Sequence, residues 1–428
     1  MSPVWGLLVL VVLFMMGMPV AYAIGISSVV IMAASTGIKW ITISSAMIQG
    51  LDSFTILCIP LFLLSGKLMN RCGITDRLFT FCRALVGWFP GGLGHVNVLA
   101  SFIFAGMSGT AVADAAGLGQ IEIRAMEANG YDRDFSAAVT AASSTLGPLI
   151  PPSLVLVVYG MVSGESVGAL FMAGILPGVV MALLMMGLVT YYAIKNQYPR
   201  DPFPTGKQVL EAFRGGILPL MTPIIILLGI YTGIFTPTEA AAVCLMYAAF
   251  IGIFVYKAID IKGFMAVVQE TVREATPICA MVGISTLLGN VLTQSMIPQT
   301  LMGQVLESVH SKWVFLLLLN VGLLIVGMFM DSSAAITILT PIIYPIAIGF
   351  GINGIHLGVV MILNIVIGVL SPPFGVVLFT LERVAKLPMK RLIKALLPWF
   401  AILLLALAVV TIFPSISTFI PSKMGFQI

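Results

Sequence analysis

Residues 143–153, with the sequence SSTLGPLIPPS, interrupt an apolar segment that extends over residues 136–162. A proline pair removes backbone N–H donors and clashes with the preceding turn, so an α-helix does not continue through it. The pattern Gly-x-x-x-Pro-Pro returns at residues 368–375, inside a second apolar segment at 357–381. Broken backbone at membrane depth is tolerated only inside protein or beside a wet cavity. We therefore predict two broken helices, each beside a functional site.

The composition indicates a membrane protein. The chain has 428 residues, of which 59% are hydrophobic and 9% charged, and its mean hydropathy is +1.10. About 20 apolar residues span the hydrocarbon core as a helix. Spans are predicted near residues 3–18, 19–36, 52–69, 136–162, 167–193, 216–235, 238–256, 274–292, 357–381 and 395–416. The first two could also form one long tilted helix. We expect an all-α polytopic fold in the lipid bilayer, with the N-terminal segment retained.

Two further apolar stretches, 95–120 and 313–349, are too long for one span and carry small polar residues at their centres. Both are predicted to be re-entrant helical hairpins. The amphipathic stretches 74–89 and 260–273 are predicted to lie along the membrane surface. The charged segment 122–134 is predicted to be a solvated cytoplasmic turn.

The chain also matches itself at a constant offset of 221 residues. Gly106-Met107 matches Gly327-Met328, and the motif that begins at Gly147 matches the one that begins at Gly368. Paired motifs at one offset indicate a duplication, and repeats with an odd number of spans have opposite orientations in the membrane. We predict two inverted repeats of five spans, one hairpin and one broken helix each.

The predicted boundaries are 1–194 for the first repeat, 195–215 for a cytoplasmic linker and 216–428 for the second repeat. Basic residues should collect on the cytoplasmic side, and they do form clusters that fit this topology. These are Lys67, Arg71, Arg77 and Arg83; Lys195, Arg200, Lys207 and Arg214; Lys257, Lys262 and Arg273; and Arg383, Lys386, Lys390, Arg391 and Lys394.

The hairpin tips and helix breaks supply the candidate ligands. Freed carbonyls and hydroxyl oxygens suit Na⁺, and helix N-termini present N–H groups to an anion such as a carboxylate. Predicted sodium ligands in the first half are Ser108, Gly109, Thr110, Ser143, Ser144, Gly147 and Pro148. Those in the second half are Gly327, Asp331, Ser332, Ser333, Gly368, Ser371 and Pro372. Predicted substrate-binding residues are Ser108, Thr145, Pro152, Ser332, Pro373 and Gly375. Close helix packing is an equally good explanation for any single glycine or serine.

Acidic residues in apolar surroundings need separate explanations. Asp331 could hold a cation or proton, or could cap the second helix of its hairpin, and Asp114 is a weaker case of the same kind. Glu239 follows Thr236-Pro237, which is typical of a capping box at a helix start.

Other classes of function find little support. The five cysteines show no CxxC spacing and the three histidines are scattered, so neither a transition-metal site nor an enzyme is expected. No cofactor beyond Na⁺ and no nucleic-acid partner is predicted. A sodium or anion channel would also use broken helices, although channels usually place one filter on an oligomer axis.

The chain resembles the large membrane subunit of the tripartite ATP-independent periplasmic (TRAP) transporters, within the wider ion-transporter superfamily. The resemblance covers the whole chain and is strongest at residues 106–114, 143–153, 233–243, 330–333 and 368–375. It implies a sodium-coupled elevator in the bacterial inner membrane. It also implies two partners, a small four-helix membrane subunit and a periplasmic substrate-binding protein. Family substrates are mostly carboxylates, with sialic acid the favoured candidate and a C4-dicarboxylate the alternative.

Overall fold

The computed structural model describes residues 5–35, 38–309, 311–372 and 375–426. Every regular element among these residues is helical. The helices before residue 200 are α1 (Trp5–Met15), α2 (Val20–Ala34), α3 (Ile41–Leu51), α4 (Cys58–Arg71), α5 (Ile74–Val86), α6 (Gly92–Ser108), α7 (Ala111–Ala116), α8 (Leu118–Ala128), α9 (Arg133–Ser143), α10 (Leu154–Ser163) and α11 (Val167–Asn196).

The later helices are α12 (Gly206–Tyr231), α13 (Pro237–Phe250), α14 (Ile261–Gln294), α15 (Ile297–Ser308), α16 (Lys312–Phe329), α17 (Ser332–Gly349), α18 (Gly354–Val369), α19 (Val376–Ala385), α20 (Met389–Ile412) and α21 (Ser415–Lys423). A 3₁₀ turn at Ser144–Leu146 extends α9, another at Phe54–Leu57 precedes α4, and a π-helical turn at Ile251–Val255 follows α13. Among the described residues, eight helical segments are long and apolar enough to cross a membrane. The chain is therefore a multi-pass membrane protein, and its all-α fold is as predicted.

Each predicted hairpin contains two helices joined by a turn. In the first, Gly109 adopts a left-handed conformation (φ +63°) between α6 and the shorter α7. In the second, the chain is extended at Met330 and Asp331 between α16 and α17. Each predicted break also separates two helices, α9 from α10 and α18 from α19. The re-entrant insertion of the hairpins, the opposite orientation of the halves and the repeat boundaries stay predictions.

The N-terminal segment forms two helices and not one. Gly17, with φ +78°, makes the turn between α1 and α2, and Pro19 precedes the first residue of α2. Eleven and fifteen residues reach only about 16 and 22 Å, less than the hydrocarbon thickness of about 30 Å.

One expectation about the predicted cytoplasmic side is wrong in detail. The stretch 260–273 is not a separate surface helix, because α14 continues for 34 residues through Pro277. At about 51 Å it is longer than the bilayer core, so a single helix includes both the predicted surface segment and the predicted span. The predicted linker 195–215 becomes helical at Gly206, where Thr205 and Gln208 form a capping box.

The helices divide into two groups, which meet where α5 packs against α6 and where α14 packs against α17. The first group, here called the frame, consists of α1–α5 and α12–α14, with α14 packed against α2, α3 and α4. The second, here called the inner bundle, consists of α6–α11 and α15–α21, since α15 packs mainly against α17 and α21 against α11. Within it the two halves interlock, because α10 packs against α17 and α7 packs against α19.

Candidate functional site

The tips of both hairpins line one cavity of about 480 Å³ between the frame and the inner bundle. The frame wall comes from α4 and α14, and the other wall comes mainly from the hairpin tips. Predicted site residues on the cavity are Ser108, Thr110, Pro148, Asp331, Ser332 and Ser333. The fold thus brings together residues that lie more than 200 positions apart in the sequence.

At the first tip, the hydroxyl groups of Thr110 and Ser108 differ in their hydrogen bonding. Thr110 caps α7, since its Oγ1 accepts a hydrogen bond from the N–H of Ala113 at 3.3 Å. The Oγ of Ser108 has no hydrogen-bond partner among the described residues. Pro148 also lines the cavity, but its carbonyl oxygen already accepts a hydrogen bond from the hydroxyl of Ser153. Of these two hydroxyls, that of Ser108 is buried and unpartnered within the described part of the chain, which suits contact with a ligand.

At the second tip, Asp331 caps α17. Its Oδ2 accepts a hydrogen bond from the N–H of Ser333 at 3.0 Å, which satisfies one free donor of the helix start. Asp331 is exposed on the cavity, although the sequence suggested a buried acid, while Ser332 and Ser333 are buried. The capping role is thus observed, and the exposed carboxylate remains accessible to a cation.

Each hairpin tip also packs on the helix break of its own half. A Cβ atom added at Gly147 would lie 2.9 Å from the carbonyl carbon and oxygen of Thr110, and one added at Gly109 would lie 3.0 Å from the carbonyl oxygen of Pro152. In the second half, a Cβ atom added at Gly368 would lie 2.7 Å from the Cα of Gly327. Only glycine permits these approaches, so the predicted sodium-binding segments of each half are in direct contact.

Several predicted site residues do not reach this cavity. The hydroxyls of Ser144 and Thr145 donate back to their own helix, to the carbonyls of Ala141 at 2.8 Å and Ala142 at 2.5 Å. Predicted residues that do not line the cavity are Gly109, Ser143, Ser144, Thr145, Gly147, Pro152, Gly327, Gly368, Ser371, Pro372 and Gly375. Pro373 lies outside the described residues.

Sequence reasoning missed the frame wall of the cavity. Lys67, Asn70, Arg273 and Glu274 all line it. The Nζ of Lys67 lies 2.9 Å from a carboxylate oxygen of Glu270 and 2.6 Å from one of Glu274, which ties α4 to α14. The sequence places Lys67 and Arg273 only in clusters of basic residues predicted to be cytoplasmic, because nothing in it shows that α4 lies beside α14.

Sequence reasoning also missed a buried polar network that joins α6, the first arm of the first hairpin, to α8 and α9. The Nδ2 of Asn97 donates to Glu122 and to the hydroxyl of Thr140, each at 2.7 Å, and Asn97 accepts from Ser143 at 2.8 Å. Glu122 is fully buried, so its assignment to a solvated turn is wrong. Asp114 is 1% exposed, and its carboxylate oxygens have no hydrogen-bond partner among the described residues.

Outside the cavity, the capping box at Glu239 is as predicted. Its Oε2 accepts from the N–H of Thr236 at 2.8 Å, and its own N–H donates to Thr236 Oγ1 at 3.3 Å. In the described part of the chain, no group of three His, Cys, Asp or Glu side chains could hold a metal ion. A cation at the tips would therefore need hydroxyl and carbonyl oxygens.

Comparison with known proteins shows the family to which the chain belongs. Residues 7–416 match the family described as tripartite ATP-independent periplasmic transporter, DctM component. The chain belongs to this DctM family. It is therefore the large permease component of a TRAP transporter, and its family consists of transport proteins and not enzymes.

Similar DctM-family permeases include proteins with different named substrates. The chain is 41% identical over 407 residues to the sialic acid TRAP transporter large permease protein SiaM of Vibrio cholerae, with 95% of each chain covered. It is also 41% identical to the C4-dicarboxylate TRAP transporter large permease protein DctM of Pseudomonas aeruginosa, with 88% of each chain covered. The sialic acid TRAP transporter permease protein SiaT of Haemophilus influenzae is 37% identical over 98% of this chain and 68% of its own length.

The fold of this DctM component is shared with distant transporters of known structure. The YdaH transporter of Alcanivorax borkumensis matches with a TM-score of 0.61 at 14% identity, over 86% of this chain and 87% of its own. MtrF of Neisseria gonorrhoeae gives the same TM-score at 11% identity, over 87% and 83%. These two likenesses concern the fold alone.

Proposed function

We propose that this permease imports an organic acid together with Na⁺ through the cavity where its two hairpin tips meet. The observation that carries the proposal is that Ser108 and Thr110 of one hairpin share this cavity with Asp331, Ser332 and Ser333 of the other. Its volume of about 480 Å³ falls within the range of roughly 300–1,000 Å³ that is usual for small-molecule sites. Hydroxyls and helix-start N–H groups suit a carboxylate-bearing ligand.

Sodium is the proposed coupling ion, and no other cofactor is proposed. The support is the close approach of hairpin tip and helix break in each half, at Gly147 beside Thr110 and at Gly368 beside Gly327. Interrupted helices bring backbone carbonyls and hydroxyl oxygens together, which are the ligands that hard cations prefer. One sodium site in each half is therefore proposed.

Sialic acid is the proposed substrate, and a C4-dicarboxylate is the alternative. The first rests on the identity to the Vibrio and Haemophilus sialic acid permeases, and the second on the equal identity to the Pseudomonas C4-dicarboxylate permease. Both substrates are anions with carboxylate groups, so the class of ligand is the same.

The proposed partners are a small membrane subunit of four helices and a periplasmic substrate-binding protein, and the proposed location is the bacterial inner membrane. The exposed apolar side chains on α1, α12 and α14 suit burial against lipid or a membrane partner. We further propose an elevator motion, in which the inner bundle moves against the frame. The cavity lies between these two groups of helices, beside basic residues predicted to be cytoplasmic.

Uptake of labelled sialic acid into proteoliposomes tests the proposal. The vesicles contain this chain, its small membrane partner and the binding protein, with or without an inward sodium gradient. We expect uptake that saturates and needs both sodium and the binding protein. Uptake of a C4-dicarboxylate alone would correct the substrate. Sodium-independent flux without the binding protein would overturn the proposal and favour a channel.

A further inference from the structure

Arg273 is a cation on the frame wall of the cavity that has no charged partner. It belongs to α14 and lines the cavity together with Pro277 and Ile278, one helical turn further along the same helix. The side chain is exposed. No ion pair or hydrogen bond joins it to another residue in the described part of the chain.

The other cation on this wall is already neutralised. Lys67 contacts both Glu270 and Glu274, at 2.9 and 2.6 Å, and its side chain is only 19% exposed. Arg71 lies 3.6 Å from Glu270 and does not line the cavity. The nearby glutamates are therefore occupied by Lys67 and Arg71, and, among the residues described, Arg273 keeps an unpaired positive charge on the cavity wall.

We propose that Arg273 binds a carboxylate of the transported substrate from the frame wall, across from the hydroxyls of the hairpin tips. This inference rests on the proposed import of an organic acid. A guanidinium group presents two parallel N–H donors that match the two oxygens of a carboxylate, and such charge-assisted pairs are stronger than neutral hydrogen bonds. The rest of the substrate would then contact Ser108, Ser332 and the apolar lining.

This arrangement gives Arg273 a role in selecting charged substrates. A ligand without a free carboxylate leaves the guanidinium unpaired, so it gains nothing from Arg273. The hairpin tips move with the inner bundle in the proposed elevator, whereas Arg273 belongs to the frame. Arg273 would therefore contact the substrate only in the conformation described above, in which the cavity lies beside the basic clusters.

The test measures binding to the purified complex of this chain with its small membrane partner, in sodium-containing buffer. The probes are sialic acid, succinate and sialic acid methyl ester, which lacks the free carboxylate. We expect Arg273→Gln to weaken binding of the preferred acid by about 10- to 100-fold, because a hydrogen bond to a charged group is lost. Arg273→Lys should be intermediate, since it keeps the charge and loses the planar fork.

Two comparisons separate binding from a general effect on the fold or on charge. Arg71→Gln, which removes a neighbouring cation off the cavity, should bind the acid as the wild type does. The methyl ester should bind equally to wild type and to Arg273→Gln. If the wild type binds the acid and Arg273→Gln binds it equally well, this inference is overturned and the proposed function is not. A wild-type complex that neither binds nor imports either acid would overturn the proposed function and this inference with it.

Discussion

Gly327 and Gly368 are in such close contact that neither position has room for a side chain. A Cβ atom at Gly368 would lie 2.7 Å from the Cα of Gly327, and a Cβ atom at Gly327 would lie 3.0 Å from the Cα of Gly368. The contact joins the first arm of the second hairpin to the end of α18. It therefore fixes the distance between a predicted sodium-binding tip and its helix break.

Replacing Gly368 with valine should abolish sodium-driven uptake. The added side chain forces α16 away from α18, and a displacement of about 1 Å is enough to spoil a binding geometry. Uptake in proteoliposomes measures the effect, with membrane insertion checked in parallel. The matched control is Gly322→Val on α16, where an added Cβ atom meets nothing within 4 Å. Normal uptake by the Gly368 variant would show that this contact does not shape the site.

Gly147 provides the same test in the first half. A Cβ atom there would lie 2.9 Å from the backbone of Thr110, so Gly147→Val should separate the first tip from its break and also abolish uptake. Gly187→Val on α11 is the control, since its added Cβ atom has open space. If only one of the two variants, Gly147→Val or Gly368→Val, loses uptake, the proposal of one sodium site in each half fails.

Two substitutions of Asp331 should separate its role as a helix cap from its proposed role in cation binding. Asp331→Ala removes both functions, which costs about 0.5–2 kcal/mol of helix stability and should abolish sodium-driven uptake. Asp331→Asn keeps an oxygen that can accept from Ser333 but loses the charge. We expect this variant to keep its melting temperature and to need a higher sodium concentration for half-maximal uptake. An unchanged sodium dependence in Asp331→Asn would reduce Asp331 to a cap.

Glu239 should have a role in helix capping and no role in transport. Because its carboxylate accepts from the N–H of Thr236, a glutamine at position 239 preserves the capping box. Glu239→Gln should therefore import substrate at the wild-type rate. Thr236→Ala, which removes the other half of the box, should lower the free energy of unfolding by about 0.5–2 kcal/mol, measured by thermal unfolding in detergent. Loss of sodium dependence in Glu239→Gln would contradict this assignment.

The sequence predicts the turns and breaks well because proline and glycine act on their own neighbourhood. Gly109, Pro148 and Pro152 all lie between helices, as expected, and so does Pro372. The amphipathic stretch at 74–89 likewise forms the separate helix α5, ended by Gly87. Helix α3 is not predicted, because its eleven residues fall between the predicted spans 19–36 and 52–69.

What the sequence does not predict is which segments meet. Glu122 looks like a loop charge until Asn97, 25 residues earlier, is placed beside it. Arg273 looks like one more cytoplasmic cation until α14 forms a wall of the cavity. The two hairpin tips share that cavity because the halves interlock, and a relationship over more than 200 residues leaves no local signal. The sequence therefore predicts the candidate sodium ligands of each half separately and does not show that the two sets share one cavity.

The buried network around Asn97 should stabilise the packing of the first hairpin against α8 and α9. Asn97→Leu removes the donor to Glu122, while Thr140 keeps its hydrogen bond to the carbonyl of Ser136, and a buried group left without a partner costs about 1–3 kcal/mol. Thermal unfolding of the purified chain should show a melting temperature several degrees lower. The control Asn196→Leu replaces an exposed asparagine and should change the free energy of unfolding by less than about 0.5 kcal/mol.

A double variant identifies the cause of that loss. Removing both partners with apolar groups of similar shape is often close to neutral, because no buried acceptor is left unsatisfied. Asn97→Leu combined with Glu122→Leu should therefore be more stable than Asn97→Leu alone, as a double-mutant cycle would measure. If the second substitution instead lowers the melting temperature further by its full single-variant effect, the two side chains do not stabilise the hairpin as a pair. In that case the stability of the first hairpin comes from its apolar packing and from the glycine contacts at its tip.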